Sequence, residues 1–156
     1  MPASLIRSVR EADLEEVRAI YAKEVLEGIA SFEIEPPHIE EMRARLHRVQ
    51  DANLPYLVSE LDGRIGGFAY AVPYRPRPAY RYTVENSVYV ARWAQRQGIG
   101  IQLLDVLVSV PALGKWSRLS GESSTRLPFE PTKKPVFVRL ARSRMWAGST
   151  AGGWIR

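Results

Sequence analysis

Thr83-Val84-Glu85-Asn86-Ser87-Val88-Tyr89-Val90, followed four residues later by Gln95-Arg96-Gln97-Gly98-Ile99-Gly100, decides the fold. From Tyr82 to Val90 the residues alternate and are rich in Val, Tyr and Thr, as in a β-strand. After the glycines, Ile101, Leu103, Leu104, Leu107 and Val108 begin a helix. A glycine loop between a strand and a helix turns backbone N–H groups toward one point and adds the positive end of the helix dipole. Such a place suits a pyrophosphate. An ordinary strand-to-helix turn has the same composition, so the motif alone leaves both readings open. The Lys-Ser/Thr ending of a nucleoside-triphosphate loop is missing, and the loop does not open the chain's first βαβ unit as a dinucleotide fold requires.

Outward from this stretch, the pattern is that of an α/β domain with a largely antiparallel start. Ser4 to Val9 reads as a first strand. From Glu11, the residues Leu14, Val17, Ile20, Tyr21 and Val25 recur at helical steps, with Gly28 as a stop. Ile39, Met42, Leu46 and Val49 repeat that spacing, and Pro37 suits the start of their helix. Tyr56 to Leu61 and Arg64 to Val72 form a hairpin about Asp62-Gly63. A proline- and arginine-rich loop, Pro73 to Pro78, leads back to the deciding strand.

The 156 residues suit one domain, and 46% hydrophobic and 25% charged residues are ordinary for a globular protein. No apolar run reaches the roughly 20 residues that span a bilayer, and the start has no signal-peptide core. The expectation is a cytoplasmic enzyme without a membrane partner. With no cysteine and only His38 and His47, neither a disulfide nor a metal site is expected. The net charge of +5 is unevenly placed: from Lys115 onward nine Lys/Arg stand against two Asp/Glu, so the earlier part is mildly acidic.

Two further groups carry chemistry. Glu85 is a carboxylate in an otherwise uncharged strand directly before the glycine loop. It reads as an exposed strand residue or, beside a thioester, as a base for acyl transfer. Tyr74-Arg75-Pro76-Arg77-Pro78 reads as a solvated basic loop or as a guanidinium fork for a substrate carboxylate.

Ala30-Ser31-Phe32-Glu33, Leu54-Pro55-Tyr56-Leu57-Val58, Ala69-Tyr70-Ala71, the Pro73 to Arg81 loop, Thr83 to Val90, the Gln-x-x-Gly-x-Gly loop and Leu103-Leu104 occur in one order. Together, from about Ile6 to Val108, they resemble the phosphinothricin and methionine sulfone/sulfoximine acetyltransferases of the GNAT superfamily. The resemblance implies the GNAT acyl-CoA N-acyltransferase fold, a mixed, mostly antiparallel sheet flanked by helices. It implies acetyl-CoA as cosubstrate, with the pantetheine arm along Val88, Tyr89 and Val90. The pyrophosphate would lie on Arg96, Gln97, Gly98, Ile99, Gly100 and Ile101. Substrate contacts fall on Arg75, Pro76, Arg77, Glu85, Asn86 and Ser87, and the general base on Glu85. The implied reaction is direct attack of an amine on the thioester, the amine having first lost a proton to the base, with backbone N–H groups stabilising the oxyanion. No metal is required, and a homodimer is allowed for. The rivals are a GNAT enzyme acting on another amine, such as a protein N-terminus or a polyamine, a catalytically dead product and, last, a basic nucleic-acid-binding protein.

Residues 1–110 are thus expected to be the N-terminal two-thirds of a GNAT domain, and 111–156 an aberrant tail that disrupts the C-terminal third. Trp116 to Arg156 holds three of the four tryptophans and shows neither a helical period nor alternation outside Val136-Phe137-Val138. Back-translated one frame away from Lys115 onward, synonymous codons permit N-A-A-S-I-R-T-H-E-K-A-G-F-R and then D-V-G-W-K-H-G-R-W-L-D-T, which resemble the family's missing helix and last strand. A frameshift between about Val110 and Lys115 is the expectation. The basic charge is then a by-product of the wrong frame, and the outer edge of the Tyr82 to Val90 strand should be left unpaired.

Overall fold

The computed structural model describes residues 4–27, 33–80, 83–110, 118–120 and 139–140. Strand β1 (Leu5–Ser8) leads through a 3-10 turn at Glu11–Asp13 into α1 (Leu14–Glu27), and α2 (Ile39–Asp51) follows. Strands β2 (Tyr56–Leu61), β3 (Arg64–Pro73) and β4 (Thr83–Val90) come next, then α3 (Ile99–Ser109) and two short strands, β5 (Arg118–Ser120) and β6 (Arg139–Leu140). The sheet order is β1-β2-β3-β4-β5, with β6 also on β4. The first three pairings are antiparallel, and β5 and β6 run parallel to β4. This is the mixed, mostly antiparallel sheet flanked by helices that the sequence implied.

The two-residue period of the strands sends side chains to opposite faces. Tyr56, Val58, Phe68 and Tyr89 pack toward α1 and α2, joining Leu14, Val17, Met42 and Leu46. Leu57, Leu61, Ala69 and Val88 pack with Ile99, Leu103, Leu104 and Leu107 of α3. The hairpin turn is as expected: Asp62 and Gly63 take φ of 48° and 77°, the left-handed pair that matches strand twist. Beneath α3 the sheet is bare. A Cβ on Gly67 would stand 2.8 Å from the Tyr89 carbonyl oxygen and 3.2 Å from both Ile99 Cγ2 and Leu103 Cδ1.

A part-buried ion pair ties the first strand to this frame. Arg7 donates to both carboxylate oxygens of Asp13, at 2.7 and 2.9 Å, and to Glu60 at 3.0 Å. The Arg10 backbone N–H also donates to Asp13, at 2.7 Å. The hydrogen bond from Arg7, ahead of the opposing effect of burial, holds the Asp13 carboxyl below its usual range. Asp13→Asn should therefore destabilise the fold by about 2 kcal/mol, the scale of a charge-assisted bond. The measurement is the urea midpoint at pH 7 with an unchanged slope. Because the folded pKa is depressed, this stability is present above the unfolded value near 3.9 and lost as pH falls through the folded one. The gap between parent and variant should close in acid.

Several expectations need correction. Helix α3 begins at Ile99, not Ile101, because Gly98 caps it and its carbonyl accepts from the Gln102 N–H at 3.0 Å. Ile99, Leu103 and Leu107 then form one buried stripe at four-residue steps. Pro37 stands before the N-cap, His38, rather than at the first helical position, and its carbonyl accepts from Arg18 Nε at 2.8 Å. Strand β3 runs through Pro73. The outer edge of β4 is paired, since its backbone groups meet Arg118–Ser120 from Thr83 to Glu85 and Arg139–Leu140 at Ser87 and Val88. Gly28, Tyr82 and most of the segment read as out of frame lie outside the described residues.

Candidate active site

Strand β4 carries a carboxylate at one end and an anion-shaped turn at the other. Glu85 stands opposite Val72 of β3, and Ser87 opposite Tyr70, so both project on the α1/α2 face. Asn86 lies between them on the other face, opposite Ala71, and is fully buried. Its side-chain amide has no hydrogen-bond partner among the described residues. The structure therefore brings Glu85 and Ser87 together and sets Asn86 apart from them.

The face that bears Glu85 borders a cavity of about 490 Å³ between α2 and the sheet. Tyr21, Met42, Arg45, Tyr56, Phe68 and Tyr70 line it, and it reaches Val72 and Pro73 beside Glu85. Its floor is aromatic: the Tyr56 ring lies 5.1 Å from that of Tyr70 and 6.1 Å from that of Phe68. Arg45 reaches it from α2, bonded to Glu41 at 2.9 Å and Glu33 at 2.8 Å, with its guanidinium 5.7 Å from the centre of the Tyr21 ring. Burial raises the pKa of the Tyr56 and Tyr70 phenols, so both stay protonated donors. The sequence reading assigned no site role to Tyr21, Arg45, Tyr56 or Tyr70. Tyr56 and Tyr70 entered there as strand residues and as parts of the motifs behind the family resemblance, with no role in the site, and the signal that marked them was their same-face spacing with Phe68 across the hairpin.

Arg75, Pro76 and Arg77 follow β3 and are exposed, and none of them lines this cavity. Arg75 lies 5.0 Å from the centre of the Tyr74 ring. At the other end of β4, Gln95 donates to the Val90 carbonyl at 3.4 Å and Gln97 to that of Trp93 at 3.3 Å, which folds the loop back on its strand. Arg96 and Gly98 both take left-handed backbone, at φ of 65° and 77°. An arginine held there is strained, as residues at functional turns are. The first turn of α3 contains no acidic residue, so its N–H groups and dipole are left to an anion. Ile99 is buried and could contribute only its backbone, whereas Ile101 is exposed.

Val88 and Tyr89 are core residues: Tyr89 stacks on Phe68 at 4.9 Å and meets Tyr21 edge-on at 5.2 Å. A role with a ligand falls to the backbone edge of β4, where the described pairing with β6 stops at Val88.

This order of carboxylate, strand, loop and helix has a counterpart among known proteins: the acetyltransferase (GNAT) domain family matches residues 6–113. The chain belongs to the GNAT acetyltransferase family. Its sequence is 52% identical over 117 residues to a phosphinothricin N-acetyltransferase of Alcaligenes faecalis, covering 75% of this chain and 59% of that protein. A second such enzyme, from Streptomyces viridochromogenes, is 38% identical over 152 residues, covering 97% of this chain and 76% of its own length. A GNAT superfamily phosphinothricin acetyltransferase from Sinorhizobium meliloti, crystallised with acetyl-CoA, superposes with a TM-score of 0.66 at 38% identity, over 69% of this chain and 58% of that one. The chain thus spans about three-fifths of the Alcaligenes relative's length. Among the described residues no helix is long and apolar enough to cross a membrane, and no group of three or more His, Asp or Glu could hold a metal.

Proposed function

We propose that this protein is a cytoplasmic N-acetyltransferase that moves an acetyl group from acetyl-CoA to the amine of a small amino-acid-like compound, of the phosphinothricin or methionine sulfone class. The observation that carries this reading is the placement of both halves of the chemistry on β4. Glu85 stands opposite Val72, which lines an aromatic cavity, and five residues on, roughly 17 Å at the rise of a strand, β4 ends at Val90, ahead of the loop from Arg96 to Ile101. An amino-acid acceptor brings its amine as ammonium, and Glu85 is the carboxylate placed to remove a proton, directly or through one water. The loop from Arg96 to Ile101 would hold the pyrophosphate, which keeps the thioester near the cavity. The names of the Alcaligenes, Streptomyces and Sinorhizobium relatives support the donor and the acceptor class.

The domain is read as residues 1–110, supported by the family match that stops at 113. Against a frameshift stands the Streptomyces match over 152 residues. The test compares this chain with a version in which the reading frame is restored from Lys115. Thiol release from acetyl-CoA should require methionine sulfone or phosphinothricin and be far faster in the restored version. No turnover by either protein would remove the assignment, and equal turnover would remove the frameshift.

Arg75→Ala or Arg77→Ala should raise KM for an amino acid by about tenfold, the loss of a charge-assisted bond, with little change in kcat. Running the same variants on the amino-acid amide separates the roles. An equal loss on the amide would take the carboxylate away from these two arginines.

A further inference from the structure

Asn86 is the buried polar side chain that the chemistry so far leaves without a role. It is fully buried beside Glu85, and neither its amide nitrogen nor its carbonyl oxygen has a hydrogen-bond partner among the described residues. A side-chain amide carries two N–H donors and a strong acceptor. Buried polar groups are nearly always matched, so one left bare at both atoms calls for a ligand or a water. The residues around it on that side of the sheet are apolar: Val84 and Val88 on its own strand are buried with it, and Ala71 stands opposite. Glu85 and Ser87 project on the other face, so the amide is turned away from the acceptor cavity.

The outer edge of β4 changes partners at the same residue. β5 pairs with it from Thr83 to Glu85 and β6 at Ser87 and Val88, and among the described residues neither register includes Asn86. This break lies next to Glu85, where a thioester must arrive. It is also four residues, roughly 13 Å at the rise of a strand, before Val90, where β4 ends ahead of the anion-shaped loop. An arm that joins a pyrophosphate on the loop to a thioester at Glu85 passes this point. The pantetheine arm of CoA bears amides, and the cysteamine amide, next to the sulfur, is the one that falls near Glu85. A neutral carboxamide in an apolar wall matches a neutral amide and suits neither a phosphate nor an ammonium.

We infer that the Asn86 carbonyl oxygen accepts from the N–H of the cosubstrate's cysteamine amide and so sets how far the thioester advances toward Glu85. This inference rests on the acetyl-CoA reading above. It moves Asn86 from the acceptor, where the family resemblance put it, to the donor.

Calorimetry compares CoA with an analogue whose cysteamine amide is an ester, which keeps the carbonyl and loses the N–H. With the full chain, and with the frame-restored version beside it, the ester should bind about tenfold more weakly, because it leaves the buried Asn86 oxygen unmatched. In Asn86→Leu, close in shape and without polar atoms, CoA should weaken by about tenfold, and the two compounds should bind within about twofold of each other. Asn86→Ala, which adds no bulk to the closed wall, should show the same equality. A merely structural asparagine would not move the ratio of the two affinities, whatever the variants do to the thermal midpoint. Equal binding of the two compounds by the parent, or a tenfold ratio that survives in the variants, would overturn the role while leaving acetyl-CoA as donor. If neither version of the parent binds CoA, the donor reading fails and this inference with it.

Discussion

Glu85→Gln is expected to lower kcat by about 100- to 10,000-fold, the range over which a positioned general base accelerates a reaction. The amide is nearly the same size and keeps the strand position opposite Val72, so the fold should be unchanged. What it lacks is the capacity to take a proton from the acceptor's ammonium group. The loss should therefore appear in kcat and kcat/KM together, with acetyl-CoA affinity nearly intact. Steady-state rates with the frame-restored protein, alongside calorimetry with CoA, separate the two quantities. A variant within about twofold of the parent would take Glu85 out of the mechanism, and the cavity lined by its strand partner Val72 would then be only a binding site.

The second large effect is expected at Gly98, where stability and binding should part. Its φ of 77° favours glycine, yet a Cβ there would meet nothing nearer than Gln102 Nε2, at 3.7 Å. Aspartate is among the residues that tolerate left-handed backbone, and it is a good N-cap. In Gly98→Asp the new carboxylate can accept from the first N–H groups of α3 and meet the positive end of its dipole, so the fold should lose little. The same carboxylate then sits where a pyrophosphate is expected, spending its donors and repelling its charge. CoA should bind roughly 30- to 100-fold more weakly, a change of about 2–3 kcal/mol. Undiminished CoA binding with an intact fold would move the cofactor away from this loop.

What the sequence disclosed, and what it withheld, follows from how far apart the contributing residues lie. β4, its loop and α3 form one continuous run, so their order and type could be read locally. Only the helix start was misplaced, because Gly100 reads as loop although it lies in the first turn. The separation of Asn86 from Glu85 and Ser87 follows from the two-residue period of a strand, and the family resemblance, which groups the three, hides it. The aromatic cavity was not legible. Tyr21, Arg45, Tyr56 and Tyr70 come from four elements and meet only when β2 and β3 pair and α2 lies across them. β5 and β6, at three and two residues, are too short for alternation to register, so the pairing of β4's outer edge was equally hidden.

The bare backbone at Gly67 bears on how the loop moves. With Ile99 and Leu103 resting directly on that glycine and the Tyr89 carbonyl, the first turn of α3 is wedged into the core. The Gln97–Ile101 segment therefore has little conformational entropy left to lose when a ligand arrives, and its geometry is that of the folded core itself. Amide hydrogens at the start of α3 should exchange with solvent only through openings close to global unfolding, unlike those of an ordinary surface turn. A cofactor would then add protection there by mass action on the whole fold, and substitutions deep under α3 would alter its affinity without touching it.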